Sequence, residues 1–255
     1  MLPWIRLGAV QLDDGAELRL MRRGTEFSIM LGANELMNSR LSGSEEALAS
    51  LVCAELDGRP QTKMLIGGLG MGFTLRAALK GLDESAQVTV AELVPSVVTW
   101  ARGPMAEVFG ACLSDPRVHV HHGDVGEVIR AGALSWDAIL LDVDNGPDGL
   151  TRQGNDALYS VAGLRAAWQA LRPGGILSVW SAASDVAFTR RLKQTGFAVA
   201  EVPTRANGKR GGARHMIWMA TKAGRVHSED EGSTCRLRRP DGAGMRQKRS
   251  ARAIG

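Results

Sequence analysis

Long apolar runs are missing from this chain of 255 residues. No stretch of about 18 apolar residues occurs, so no membrane-spanning helix is expected. The N-terminal MLPWIRLGAVQLDDG has no basic start followed by a continuous apolar core, which argues against a cleaved signal; a cytoplasmic protein is expected. Cysteine is scarce. Cys53, Cys112 and Cys235 are scattered, odd in number and without C-x-x-C spacing, so neither a disulfide framework nor a zinc site is suggested. His119, His121 and His122 cluster with Val118 and Val120 in a strand-like pattern. Without further ligands nearby they read as strand-surface residues, and no metal is expected.

A charge bias of one sign is missing from the body of the chain. The formal net charge is +4, but residues 223–255 hold eight Lys and Arg against four acids, and the remainder carries 23 of each sign. The basic balance therefore belongs to a tail without apolar periodicity, for which disorder is expected rather than a nucleic-acid-binding domain.

What the chain has in quantity is α/β patterning. Residues 1–40 read as a hairpin or small antiparallel sheet, with ELRLMR and EFSIML on either side of Arg23-Gly24-Thr25. In EEALASLVCAEL, Ala47, Leu48, Leu51, Val52 and Leu56 mark a helical face, with Ser44 expected as its N-cap. From Lys63 onward, apolar strands alternate with helices. Strands are expected at 64–66, 87–92, 118–124, 136–142, 176–180, 197–202 and 215–221, and a single helix over 157–171 is expected to close on the turn Arg172-Pro-Gly-Gly175. This predicts a Rossmann-like, doubly wound, mainly parallel seven-stranded sheet with an antiparallel last strand, over 41–222. A small N-terminal β element precedes it, and the basic tail follows.

The organising stretch is KMLIGGLGMG. A short apolar strand enters a turn containing Gly67, Gly68, Gly70 and Gly72, and a helix follows. Glycine lets backbone approach a ligand, and the helix start offers unpaired N–H groups. G-x-G-x-x-G would need glycine where Phe73 stands, and no Gly-Lys-Ser/Thr is present, so dinucleotide and phosphate-gripping sites are not indicated. Gly68-Leu-Gly70-Met-Gly72 instead resembles motif I of class I S-adenosylmethionine-dependent transferases. In open α/β sheets ligands bind beyond the carboxyl ends of the strands, where Glu92, Asp124 and Asp142 follow at successive strand ends. Glu92, 22 residues beyond Gly70, is placed to accept from ribose hydroxyls, and Asp124 to meet an adenine amino group.

The segment Asp142-Val-Asp144-Asn-Gly-Pro-Asp148, followed by Asp156-Ala-Leu-Tyr159, resembles the polyamine aminopropyltransferases, the spermidine synthase family. The resemblance runs over about residues 15–222 and includes MNSRLSGSEEALA and LYSVAGLRAAWQALRPGG. It implies decarboxylated S-adenosylmethionine as donor, a polyamine-type amine as acceptor, and a homodimer contact through the N-terminal β element. It also implies that Asp142 deprotonates the amine, Asp144 holds the acceptor cation and Tyr159 orients the amine. The chain departs from the family in the turn, which reads GGLGMG where GGGDGG is usual, in Ala77 after Arg76 where Glu is usual, and in the contracted Asp142-x-Asp144 spacing. A methyltransferase using S-adenosylmethionine on a small molecule, or a non-catalytic nucleoside-binding relative, would share the same architecture. The N-P-P-F/Y motif of base-amino methyltransferases is absent, since Asn145 is followed by Gly146-Pro147, so a nucleic-acid substrate is not indicated.

Overall fold

The computed structural model describes residues 2–12, 15–143 and 153–223. The four N-terminal strands β1 (Ile5–Gln11), β2 (Glu17–Arg23), β3 (Glu26–Leu31) and β4 (Asn34–Asn38) form an antiparallel meander in sequential order. Period-two alternation sets its inner face. Leu18 and Leu20 of β2 face Leu31 and Ile29 of β3 across the ladder, so these residues and Phe27 turn toward the main core.

After α1 (Gly43–Glu55), the chain builds the large sheet through β5 (Lys63–Gly67), α2 (Phe73–Gly81), β6 (Gln87–Glu92), α3 (Pro95–Arg102), the single turn α4 (Ala106–Phe109) and β7 (Val118–His122). It continues with α5 (Val125–Ala131), β8 (Trp136–Leu141), α6 (Gln153–Tyr159), α7 (Val161–Ala170), β9 (Leu171–Ser181), α8 (Val186–Gln194), β10 (Phe197–Arg205) and β11 (Arg214–Lys222). The strand order is β10-β11-β9-β8-β5-β6-β7. β11 runs antiparallel between β9 and β10, and the pairs β9–β8, β8–β5, β5–β6 and β6–β7 are parallel. The expected doubly wound sheet with an antiparallel last strand is present. The switch in strand order falls at β5, where β6 pairs on one side and β8 on the other, so the glycine turn and the end of β8 meet at the crevice.

Each face of the sheet carries a core. One joins Leu48, Val52, Leu75, Val97 and Trp100 of α1, α2 and α3 with Leu20, Phe27 and Ile29 of the N-terminal sheet. The other joins Ile129 of α5, Leu164 and Ala167 of α7 and Phe188 and Leu192 of α8 against β8, β9 and β11. Central β8 is apolar on both faces, as a strand buried on both sides must be.

Three local expectations are corrected. The helix expected over 157–171 is two helices broken at Ser160, whose Oγ accepts from Gly163 N and donates to Ala157 O; the hydroxyl caps α7 and diverts the backbone. Arg172-Pro-Gly-Gly175 is not a free turn but a bulge inside β9: Leu171 pairs with Trp136 and Ile176 with Ala138, so four residues stand opposite Asp137 alone and three are extra. Ser44 is not the N-cap of α1. Ser42 flanks the helix start, and Ser44 is fully buried at the second helical position, bonded to side chains. Residues 224–255, and with them the tail for which disorder was expected, lie outside the described residues.

Candidate active site

The site starts from the backbone of the turn between β5 and α2. Gly68 has φ +89°, and a Cβ there would lie 2.5 Å from the carbonyl oxygen of Asp142. Only glycine satisfies both the conformation and the close approach of the chain leaving β8. Leu69 and Met71 are buried in the core, so the turn offers main chain rather than side chains to the crevice. At the end of β6, Glu92 is 8% exposed; its Oε2 accepts from Leu69 N at 2.9 Å and its Oε1 from Val94 N at 2.8 Å. Two main-chain donors from the two loops that flank the crevice thus hold the carboxylate rigid, each a charge-assisted bond.

Beside Glu92 lies an open cavity of about 140 Å³, walled by Leu93, Val94, Val97 and Val125 and reaching Gly68, Gly70, Asp124 and Asp142. Apolar walls with a few fixed acceptors suit a nucleoside, whose base is flat and whose ribose donates hydrogen bonds. Asp124 is the N-cap of α5. Its Oδ1 accepts from Gly126 N at 2.7 Å, and its half-exposed side chain stands at the cavity edge. Gly67 ends β5 below the turn, and Gly72 opens α2 with φ +74°.

A second cavity of about 90 Å³ adjoins the first, sharing Leu36, Met37, Gly70 and Asp142. Glu45, Asn38, Gly72, Phe73 and Trp180 line it further. Asp142 therefore stands at the junction. Its own N–H continues the ladder to Gly67 O at 3.0 Å, which fixes the residue at the mouth of β8. Its Oδ2 accepts a 2.5 Å bond from Thr74 Oγ1 in the first turn of α2. Desolvation by the surrounding protein, reinforced by the charge of Glu45 and only partly offset by Thr74, pushes the Asp142 carboxyl up to about 7.

Glu45 projects from the first turn of α1. Burial also raises its carboxyl above the usual range, against the lowering effect of a 2.6 Å bond donated by Ser44 Oγ to its Oε2. Ser44 Oγ also lies 2.9 Å from His215 Nδ1 on β11, whose ring stands edge-on to Trp180 at 4.7 Å between centroids. With the serine proton directed to Glu45, the histidine nitrogen is the donor to Ser44. Desolvation lowers the His215 pKa, favouring the neutral ring.

The model of the spermine/spermidine synthase domain matches residues 43–195. The chain belongs to this family. Polyamine aminopropyltransferases are similar to it: the protein of Mycobacterium tuberculosis strain H37Rv is 28% identical over 194 residues, covering 72% of this chain and 35% of that protein. That of Nitrosomonas europaea is 32% identical over 122 residues, covering 48% and 35%. The chain spans about a third of the length of the curated relatives it matches. Among solved structures, the spermidine synthase of Thermotoga maritima superposes with a TM-score of 0.67 at 19% identity, covering 86% of this chain and 73% of that one. A spermidine synthase in complex with the transition-state analogue AdoDATO gives the same TM-score and identity, covering 86% and 72%. These two likenesses establish the fold.

Of the expected site residues, Gly68, Gly70, Glu92, Asp124 and Asp142 line one cavity, and Gly72 lines the other. Tyr159 lies elsewhere. It is 3% exposed, packs edge-on against Phe188, and its hydroxyl donates to Val143 O at 3.2 Å, so it braces the segment leaving Asp142 from the side of the second core. Asp144, with Asn145, Gly146 and Asp148, falls outside the described residues. Among the described residues no group of three or more His, Cys, Asp or Glu side chains is placed to hold a metal, and no helix is long and apolar enough to cross a membrane.

Sequence reasoning missed Glu45, Thr74, Ser44, His215 and Trp180. For Glu45 a signal existed. It lies three and four positions before Leu48 and Ala49, on the same helical stripe as the buried face of α1, where an acid is out of place unless it serves a site. For His215 there was none, because its partner Ser44 is 171 positions away in sequence.

Proposed function

We propose that this chain transfers the aminopropyl group of decarboxylated S-adenosylmethionine to a polyamine-type primary amine. Membership of the spermine/spermidine synthase domain family supports the reaction class. The observation that carries the reading in this chain is Asp142, a carboxyl raised to about 7 at the junction between a largely apolar-walled cavity beside Glu92 and a second one that Glu45 lines.

The chemistry follows from the proton balance. An alkylammonium with a pKa of about 10.4 has no lone pair for attack. Passing its proton to an ordinary carboxylate near 3.9 is uphill by roughly 6.5 units, or about 9 kcal/mol. Passing it to Asp142 at about 7 removes roughly 3 of those units, or about 4 kcal/mol. Asp142 takes the proton, the amine nitrogen attacks the methylene carbon next to the sulfonium, and the C–S electron pair returns to sulfur. The products are a lengthened amine and methylthioadenosine.

Glu92 and the main chain of the glycine turn hold the nucleoside, with Asp124 at its edge. Asp144 serves the acceptor cation, and Tyr159 keeps the segment after Asp142 in place. The catalytic unit is a cytoplasmic homodimer joined through the N-terminal sheet.

The test is to incubate the protein with decarboxylated S-adenosylmethionine and a panel of di- and polyamines and to identify the nucleoside released. Methylthioadenosine with an amine lengthened by one aminopropyl unit is expected. Release of S-adenosylhomocysteine from intact S-adenosylmethionine, with no turnover of the decarboxylated donor, would replace this reading with methyl transfer.

A further inference from the structure

We infer that Glu45, held in place by Ser44 and His215, is a second carboxylate of the active site that receives a primary alkylammonium group beside Asp142, so that the second cavity rejects a ligand tail bearing a carboxylate. The inference deepens the aminopropyl-transfer reading and rests on it.

Three features of the cavity support it. The glycine turn that forms one wall supplies no ionisable side chain, since Leu69 and Met71 are buried in the core and the positions between and after them are glycine. Among the described residues, the only ionisable ones lining the cavity are Glu45 and Asp142, and no Lys, Arg or His lines either cavity. A ligand reaching past Asp142 therefore meets two carboxylates and no counter-cation among the described residues. A positive group is stabilised there, and a carboxylate is repelled.

Next, Glu45 is a prepared group rather than a solvated one. Its Oε2 is fixed by the 2.6 Å bond from Ser44, which is fully buried, and Ser44 is in turn held 2.9 Å from His215 Nδ1 on a different element. Thr74 Oγ1, bonded to Asp142, also lies 3.3 Å from the main-chain oxygen of Glu45, so the two carboxylate-bearing segments are tied together. Burial raises both carboxyls, and the charge of Glu45 raises Asp142 further, so placing both acids on one partly desolvated cavity costs stability. A cation shared between them relieves that repulsion.

Trp180 points to an occupant independently of the acids. It is 9% exposed, lines the same cavity, and its Nε1 is buried without a hydrogen-bond partner. An ammonium is itself a donor and does not pair with that N–H; what Trp180 offers it is the indole ring, a favourable neighbour for an alkylammonium in the same cavity.

Two sources can present the ammonium: the aminopropyl tail of the donor and the acceptor amine. Calorimetry without acceptor separates them, using decarboxylated S-adenosylmethionine, intact S-adenosylmethionine and methylthioadenosine, which has no charged tail, against the wild-type chain and Glu45→Gln. If the donor tail is the occupant, the wild type binds the decarboxylated donor at least about tenfold more tightly than the intact one, and Glu45→Gln removes about tenfold of that affinity. Methylthioadenosine binding stays unchanged. If the acceptor supplies the ammonium, donor affinities stay constant and the KM for the amine rises by a similar factor, with kcat less affected.

His215→Ala, which frees Ser44, should move the same quantity in the same direction by a smaller factor while leaving methylthioadenosine affinity intact, and His215→Asn should restore part of it. Wild-type turnover with neither donor affinity nor amine KM altered in Glu45→Gln overturns the role of Glu45 and leaves aminopropyl transfer standing. A wild type that prefers intact S-adenosylmethionine and releases S-adenosylhomocysteine overturns the reaction as well.

Discussion

Thr74 Oγ1 donates a 2.5 Å hydrogen bond to Asp142 Oδ2, tying the first turn of α2 to the end of β8 across the floor of the site. The bond favours the ionised carboxylate and holds its pKa below what burial alone would set. Thr74→Val, which keeps the shape and deletes the donor, should move the acid limb of the kcat/KM profile upward by about 1–2 units, since a hydrogen bond to a charged group contributes about 1.5–3 kcal/mol. The rate should fall at neutral pH and recover near pH 9, whereas Thr74→Ser should behave as wild type. A profile unmoved by Thr74→Val would detach this bond from the chemistry.

The same raised pKa makes stability fall as pH rises. The native Asp142 carboxyl titrates at about 7 and the unfolded one in the usual range near 3.8, so between these values the native state binds more protons. Its contribution is fully present below the unfolded value and is lost as pH climbs through about 7, to a limit on the order of 4 kcal/mol. Asp142→Asn should therefore unfold at a higher temperature than wild type at pH 8 and flatten the dependence across this window. Thermal unfolding of both proteins from pH 4 to pH 8, without ligand, checks the sign.

Glu92 joins nucleoside binding to the shape of the turn. Glu92→Gln leaves one of the Leu69 and Val94 N–H groups facing an amide that cannot accept from it, at a cost of about 1–3 kcal/mol. Affinity for methylthioadenosine should fall by about tenfold or more. The melting temperature should drop with it, while kcat at saturating donor should suffer less than KM. An unchanged dissociation constant would remove Glu92 from the binding surface.

Away from the site, Asp137 is 3% exposed and accepts from Arg59 at 3.1 Å, Arg172 at 2.7 Å and Lys63 N at 2.8 Å. It anchors the bulge of β9 to β8. Because both arginines are about one-third exposed and can rehydrate, Asp137→Ala should cost about 2–3 kcal/mol in urea unfolding, less than a fully buried pair would. Donor affinity should not change.

The parts of the site that were legible in the sequence are those fixed by a strand end. Gly68, Gly70, Glu92, Asp124 and Asp142 follow period-two strands whose boundaries announce themselves, and topology delivers such residues to one crevice. Glu45 and His215 were not legible as a pair because their connection through Ser44 depends on α1 lying against β11, which no local pattern encodes. The β9 bulge was missed for a related reason: Arg172-Pro-Gly-Gly175 has the composition of a turn, and contacts distant in sequence, from Arg172 to Asp137 and from Arg59 to Gly174 O, hold it within the sheet. The break at Ser160 is the opposite case. Its Oγ bond to Gly163 N is a local capping contact of the kind that interrupts helices, and the apolar periodicity across it concealed the boundary.

The central claim is that Asp142 accepts the proton of the attacking amine. Single-turnover rates with decarboxylated donor and a diamine, measured from pH 5 to pH 10 for wild type and Asp142→Asn, test it most directly. The account predicts a wild-type rate that rises through an ionisation near 7, and a variant that binds methylthioadenosine normally, is slowed by about 10²-fold or more and has lost that limb. A variant that turns over at the wild-type rate, or one that keeps the limb, would contradict it.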